Sequence, residues 1–589
     1  TTGYNDTFES TVIAALEFEQ KLDFLTKGLR FKALGTFKNW SKSINKYSAG
    51  WNKYLLGSYE QNEDGSYSYT TNRVGNEVST DLNSTNETAG DRRIYLEAMV
   101  DYNRTFGRHD VNAMLLYNQD ELVNNVPGNN LINSLPKRKQ GLAGRLSYAY
   151  DGKYMAEVNM GYNGSENFAK GHRWGFFPSI ALGYNISEES FFEPLRKVIT
   201  SMKLRGSWGL VGNDQIGGER FIYMPTINLS GKGFTTGIDQ NYGLSGPVYT
   251  RYENNSITWE VGEKINLGID LQLLNSLNIV VDIFRETRRD IFQKKGTIPT
   301  YLGTGNTDVF GNLAEMKNQG LDLSIDYNKA FSKDFYMNFK GTFTYAHNEI
   351  TKYDEAPKYA FQSKVGQSAN VSQGYLSNGL FLDEAEIDRY NQQMGSTLGA
   401  GDIKYLNVSN MHGYGDDIVD VDDWTWIGNP TVPEIVYGFG PSFKYKNWDF
   451  SFFFQGVAKT SLFMSGFHPF GDNSLRNVLQ FVANDRWSPT NQNVDAKYPR
   501  LTRKTSLNNT NPGNSGRTSD YWMRDGSFLK LKNMELGYTF KRMRFYISGS
   551  NLLTFSKFDL WDPEQGGGSG LKYPTQRVFN VGFQMTFNN

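Results

Sequence analysis

The chain has no cysteine among its 589 residues, only 5 histidines, and nowhere the roughly 18 consecutive apolar residues of a membrane-spanning helix. Without cysteine there is no disulfide framework, no thiolate metal site and no thiol nucleophile. His109, His172, His347, His412 and His468 are scattered and show no metal-ligand spacing. The N-terminal residues Thr1 to Asp6 contain neither a basic region nor an apolar signal core. An α-helical membrane protein is excluded. An excess of one charge is also missing, since 61 Lys+Arg face 62 Asp+Glu for a net of -1. That balance removes the basic footprint of a nucleic-acid binder. No Gly-x-Ser-x-Gly elbow, phosphate loop or dinucleotide fingerprint occurs, so no enzymatic centre and no required cofactor are expected.

Rings are abundant: 40 Phe, 35 Tyr and 11 Trp make up 15% of the chain, yet mean hydropathy is -0.55. A polar chain with that many aromatics must place them somewhere specific. Transmembrane β-barrels do so, because an apolar lipid-facing band ringed by aromatics alternates along each strand with a polar lumen. A soluble protein of this length is expected to split into several domains.

Period-two alternation recurs throughout. Phe579, Val581, Phe583, Met585 and Phe587 alternate with Asn580, Gly582, Gln584 and Thr586. Ile265 to Leu273, Leu321 to Tyr327, and Tyr154 to Tyr162 repeat the pattern, and Phe450, Phe452 and Phe454 form a stripe expected to face lipid. A soluble β-sandwich would alternate too. Connection lengths separate the two. About 17 strands are expected, near 10–22, 29–42, 92–105, 108–121, 140–150, 153–164, 174–186, 200–212, 258–273, 277–290, 312–329, 334–350, 434–446, 448–460, 526–540, 542–553 and 576–588. Short turns such as Asp151-Gly152 and Asn275-Ser276 alternate with long loops, the largest at 43–91, 213–257, 351–433 and 461–525. On the short side 187–199 is the exception and reads as a small helix. Short turns at one end and large loops at the other are the outer-membrane arrangement of periplasmic turns and extracellular loops. The fold class is therefore all-β, a transmembrane antiparallel β-barrel. With an odd strand count ending on the periplasmic side, the first strand runs inward from an extracellular loop.

Several motifs punctuate this pattern in order: Arg173-Trp174-Gly175-Phe176-Phe177-Pro178-Ser179 leading to Asn185-Ile186-Ser187-Glu188-Glu189, Lys203-Leu204-Arg205-Gly206-Ser207-Trp208-Gly209, Trp259-Glu260, Asn318-Gln319-Gly320, Gly428-Asn429-Pro430, Arg524 through Asn533, Ser548 through Leu552, and Asp562-Pro563-Glu564. Glycine and Asp/Asn-Gly pairs among them mark turns and close approaches, and Pro178 and Pro441 call for a bulge or an edge-like site within their strands. In order and spacing the set resembles the barrel portion of SusC/RagA-like TonB-dependent outer-membrane transporters, over nearly all of residues 1–589. The resemblance implies a Gram-negative outer-membrane location, a barrel of roughly 22 strands, and a plug domain inside it. It further implies a TonB-engaging segment, a SusD-like surface lipoprotein lid, a pairing of two transporter–lid units, and import of an oligosaccharide or a peptide. Plug and first strands are absent from the sequence, so an upstream piece or another chain is expected to complete the wall against lipid. A passive porin and a surface-binding barrel share the architecture and stay open.

Two groups of loop residues are candidate sites. Asp416, Asp417, Asp420, Asp422 and Asp423 follow Gly401-Asp402-Ile403-Lys404-Tyr405, where relatives resembled by this chain carry the oxygen-ligand spacing of a calcium loop. Here Asn407-Val408-Ser409-Asn410-Met411-His412-Gly413 replaces its first carboxylates, leaving calcium binding against a solvated acidic loop that caps a turn. Tyr242, Tyr249, Trp424, Trp426, Phe467, His468 and Trp487 could stack on sugar rings or pack loops together.

Overall fold

The computed structural model describes residues 3–128, 131–216, 220–299, 301, 308–390, 392–393, 398–414, 416–467, 470, 477–503, 508 and 518–587. Seventeen strands form one antiparallel sheet. They are β1 Gly3–Lys21, β2 Leu29–Ser48, β3 Asn83–Phe106, β4 His109–Asn124, β5 Lys137–Tyr150, β6 Tyr154–Ser165, β7 Trp174–Asn185, β8 Ile199–Asn213, β9 Glu260–Leu273, β10 Leu277–Lys294, β11 Phe310–Ala330, β12 Phe335–Lys352, β13 Ile435–Tyr445, β14 Trp448–Ala458, β15 Phe528–Phe540, β16 Met543–Ser556 and β17 Val578–Met585. Each overlaps one expected strand. No helix among the described residues is long and apolar enough to cross a membrane.

The chain divides into two compact units. One holds residues 1–148, 157–178 and 218–223; the other holds 149–156, 179–217 and 224–589. In the first, β1 to β4 pair consecutively in unbroken register from Gly3↔Ser48 onward. In the second, β8 to β17 pair consecutively from Asn213↔Glu260 to Met543↔Met585. The tight turns are chemically marked. Leu274 and Asn275 both take positive φ, at 51° and 56°, as the central pair of a primed turn requires, and the Ser276 N–H closes it onto the Leu273 carbonyl at 2.9 Å. The expected small helix on the same side is a pair of 3-10 turns, Ile186–Glu188 and Ser190–Leu195, broken by an extended Glu189.

The two faces of the sheet have opposite chemistry. On one, large apolar side chains stand exposed: Leu267 is 62% exposed, Ile283 60% and Val581 87%. A water-soluble fold would not leave such a continuous apolar surface uncovered; a bilayer covers it. The other face carries a lattice of ion pairs. In the second unit Arg205 reaches Asp270 at 3.0 Å and clasps Asp282 with two bonds of 2.7 Å. Arg544 bridges Asp449 and Glu535. In the first unit Arg30 holds Asp101 at 2.9 Å and Lys32 meets Glu17 at 3.1 Å. Close approach sets one motif residue: the Phe284 ring lies over Gly320 on this face, where a Cβ would sit 2.6 Å from Phe284 Cζ. Phe450, Phe452 and Phe454 run along the apolar face as a chain of ring contacts, 5.6 Å and 5.9 Å between centroids.

Two expectations change. Pro441 brings no bulge: the β13–β14 ladder skips Gly440 and Pro441 and resumes in the same register, Phe439↔Phe454 then Ser442↔Ser451. One missing N–H removes bonds from a ladder without inserting a residue. The nearest bulge lies instead on β15, where Lys532 is the extra residue between Asn533, opposite Phe453, and Leu531, opposite Phe454. Second, the long connections are not structureless. The 43–91 segment continues β2 and β3 and ends in a hairpin of Lys53–Gln61 with Tyr67–Val74, and 213–257 contains the hairpin Thr226–Thr236 with Tyr242–Arg251.

The inverted faces yield a paired test. Leu323→Arg, on the apolar face midway along β11, should destabilise the folded barrel in detergent or lipid by about 2–4 kcal/mol. Ser324→Arg, between Asp322 and Asp326 on the polar face, should cost far less. Urea titration followed by tryptophan fluorescence measures both.

Candidate functional site

A buried apolar core of the second unit lies not in the sheet but among the long loops. Tyr375, Leu380, Ile403, Tyr405, Val419, Leu462, Met464, Phe467, Phe470, Val482, Trp487, Ala496, Tyr498, Trp522 and Phe558 form one buried cluster. They come from 351–433, 461–525 and 554–575, three stretches distant in sequence. Short strand pairs fold the first two stretches on themselves, Ser372–Gly374 with Thr425–Ile427, Ser377–Leu380 with Ile403–Tyr405, and Ser461–Phe463 with Met523–Asp525, and single bridges join the stretches, Tyr375 to Ser519 and Met464 to Gly568. Tyr375 stacks on Tyr405 at 5.0 Å, and Phe470 meets Trp522 at 5.3 Å. Burial pushes the Tyr405 phenol well above its ordinary pKa and the Tyr498 phenol up to about 12. Each such ring contributes roughly 2–3 kcal/mol by leaving water. The loops therefore form a packed layer with its own interior.

Polar hubs pin that layer. Asp402, 1% exposed, accepts from Arg500 Nε at 2.5 Å and Nη2 at 2.9 Å, from Asn508 Nδ2 at 2.6 Å and from the Gly399 N–H at 2.9 Å. At the top of β15, Lys530 is 1% exposed and donates to Asp562 at 2.6 Å and Glu564 at 2.7 Å, while Lys532 also holds Glu564. Burial alone would raise the Asp562 and Glu564 carboxyls, but the Lys530 ammonium and further hydrogen bonds outweigh it and leave both below their usual range. The loop after β16 is thereby tied to the wall. These hubs explain two motifs quoted from the sequence, Gly401 to Tyr405 and Asp562-Pro563-Glu564, which anchor one loop to another or to a strand.

The candidate aromatics separate. Tyr242 and Tyr249 stand exposed on the 226–251 hairpin, Tyr249 stacked on Tyr252 at 5.3 Å. Trp424 is half-buried, edge-on to Tyr375 at 6.1 Å, and its indole N–H finds no acceptor among the described residues. Trp426 donates its indole N–H to the Ser363 carbonyl at 2.9 Å. Phe467 and Trp487 are each 5% exposed and belong to the loop core. Trp487 lies on Gly401, which has φ +84° and no room for a Cβ beneath the ring. They pack loop on loop. His468 lies outside the described residues.

The acidic cluster is occupied with local hydrogen bonds. Asp423, fully buried, accepts from the Ser409 N–H and hydroxyl and from the Asp420 N–H, while the Asp420 side chain accepts from the Asp422 N–H, together a capping box. Burial raises the Asp423 carboxyl. Asp416 accepts from the Ile418 N–H and the Asn407 amide, Asp422 pairs with Lys358, and Asp417 carries no such bond among the described residues. No three acidic or histidine side chains among the described residues converge as a cation requires.

An apolar face, a charge-paired opposite face and a packed layer of long loops define a membrane-embedded β-barrel. Residues 2–552 match the family described as TonB dependent receptor-like, beta-barrel, and the chain belongs to that family, whose barrels sit in the outer membrane of Gram-negative bacteria. It is similar to TonB-dependent receptor P3 of Formosa agariphila, 25% identical over 99% of this chain and 58% of the relative. TonB-dependent receptor SusC of Bacteroides thetaiotaomicron is 28% identical over 75% of this chain and 43% of its own length. The chain thus spans about half the length of the curated relatives it matches. Among solved structures, the RagAB peptide transporter superposes with a TM-score of 0.70 over 99% of this chain and 62% of that one, at 18% identity, a likeness of fold.

Two outcomes test the loop layer. Lys530→Met should leave Asp562 without its cation and weaken the loop tether by about 3 kcal/mol, read as faster hydrogen exchange across 557–571. In the native chain both carboxyls are depressed, so their stabilisation is complete above the ordinary carboxylate range and is lost as pH falls through their lowered values; acid titration below about pH 4 should release the same loop. Separately, Asp423→Ala should cost roughly 1–2 kcal/mol of local stability through the lost cap, whereas EDTA should leave the melting temperature unchanged.

Proposed function

We propose that this chain forms the larger part of the barrel of an active outer-membrane importer, and that its cargo is a neutral oligosaccharide. In a longer protein of this family the polar face would surround a plug, TonB would displace that plug, and a SusD-like surface lipoprotein would close over the packed loop layer. The observation that carries the cargo is the pairing of charge on the polar face. Arg205, Arg544, Arg30 and Lys32 all have carboxylate partners in the wall itself, so little field is left to select a charged solute. What the wall offers is hydrogen-bonding side chains. A depression of about 360 Å³ in the second unit is lined by the hydroxyls and amides of Asn338, Ser442, Ser451, Asn533, Ser548 and Ser550, by Phe452, Phe453 and Met534, and by Lys340 and Glu535, two charges already paired with Asp326 and Arg544. Exposed Tyr242 and Tyr249 on a loop hairpin extend the same chemistry outward.

The test is uptake by whole cells with and without the gene, using a labelled neutral oligosaccharide and a labelled peptide, each with and without a protonophore. Oligosaccharide entry that needs both the gene and the proton gradient supports the proposal. Entry unaffected by the protonophore indicates a passive pore, and gene-dependent entry of the peptide alone overturns the cargo.

A further inference from the structure

The apolar face of β9 to β12 ends abruptly toward the long loops, and its boundary is marked by a basic residue that has no carboxylate partner among the described residues. Cross-strand register aligns Ile265, Arg285, Gln319 and His347 in one row. All four project on the side of Leu267, Ile283, Leu321 and Tyr345, because side chains two residues apart share a face. One row nearer the loops come Glu263, Thr287, Lys317 and Glu349. Arg285 is eight residues above the tight turn that starts β10, about 26 Å along the strand at roughly 3.3 Å per residue. With the usual tilt of about 40° that is some 20 Å vertically, near the upper edge of an apolar band about 25 Å tall. The row lies at the level of outer-leaflet headgroups.

The carboxylates of this belt are already matched. Glu263 accepts from the Trp208 indole at 2.8 Å and lies 3.8 Å from Arg289. Glu349 meets Lys317 at 3.4 Å, and Glu434 meets His347 at 2.5 Å and Lys459 at 3.5 Å. Arg285 is exposed and has no carboxylate within ion-pair range among the described residues. A guanidinium at the edge of hydrocarbon is stabilised by an anion that its planar donor fork can clasp in two bonds, and phosphate has that geometry. Gln319 beside it supplies an amide donor, while Lys317 one row above is held by Glu349.

We infer that Arg285, with Gln319 beside it, binds the phosphate of a phosphorylated glycolipid in the outer leaflet. The acyl chains of that lipid would lie along the Leu267, Ile283 and Leu321 stripe directly below, so the site holds headgroup and tail together. This goes beyond the import reading and stands or falls separately from it.

The experiment uses the full-length transporter extracted in mild detergent, delipidated, and titrated with diphosphorylated lipid A, the same lipid after phosphatase treatment, and inorganic phosphate, with bound lipid counted by native mass spectrometry. Phosphorylated lipid should bind, Arg285→Ala should weaken it about five-fold, Arg285→Lys, which keeps the charge but loses the two-bond fork, should restore only part of it, and inorganic phosphate should not compete. Heat-modifiable gel mobility checks that each variant is folded; if Arg285→Ala does not fold, the comparison of phosphorylated with dephosphorylated lipid on the native chain decides alone. Equal binding of the dephosphorylated lipid, unchanged binding by folded Arg285→Ala, or full competition by inorganic phosphate would each overturn the assignment.

Discussion

Hydrocarbon offers a backbone no hydrogen-bond partner, so every N–H and C=O in the bilayer must be paired within the protein. The antiparallel ladders of this chain meet that demand strand by strand, from β8 through β17 without an interruption of order. Once the backbone is committed to a sheet, side chains alternate, and the only choice left to sequence is which parity faces lipid. That choice inverts the usual arrangement. Ile283 and Val581 are stable because they are exposed to an apolar solvent, and Arg205 and Arg544 because they are turned away from it.

The loops answer to water instead. A connection the length of 351–433 cannot persist as bare chain without large entropic cost, and here it condenses with 461–525 and 554–575 around Trp522, Tyr405 and Phe470. Charged hubs at Asp402 and Lys530 add direction to that packing, since each fixes one loop against another or against the wall. Two solvents thus produce two kinds of core in one chain: an outward apolar band along the strands and an inward dry cluster among the loops.

Much of this was legible without coordinates. All seventeen sheet strands were visible from period-two alternation, and the asymmetry of connections from Gly and Asn turns, because both signals are local. The errors were local too. Pro441 was read as a bulge or an edge-like site because proline removes a ladder bond, and the ladder leaves a gap there in unchanged register rather than inserting a residue. Strand content at 43–48, 83–91 and in the two loop hairpins was missed, since polar Thr, Ser, Asn and Tyr alternation outside the bilayer carries no apolar stripe.

The candidate site was far less legible, for a physical reason. Phe467, Trp487 and Trp424 share one aromatic signature with Tyr242 and Tyr249, and sequence cannot say which rings bury one another. Only the folded loops turn Trp487 onto Gly401 and leave Tyr242 in solvent. Likewise Asp423 and Asp417 look equivalent in a run of acids, but the Ser409 and Asp420 amides converge on the first alone. By itself the sequence determined the membrane barrel, its strand order and its polar and apolar faces, all consequences of alternation along a single strand. Tertiary structure decided which loop residues are interior, which carboxylates are anchored, and which cation at the lipid boundary has no carboxylate among the described residues, because each depends on groups brought together from distant parts of the chain.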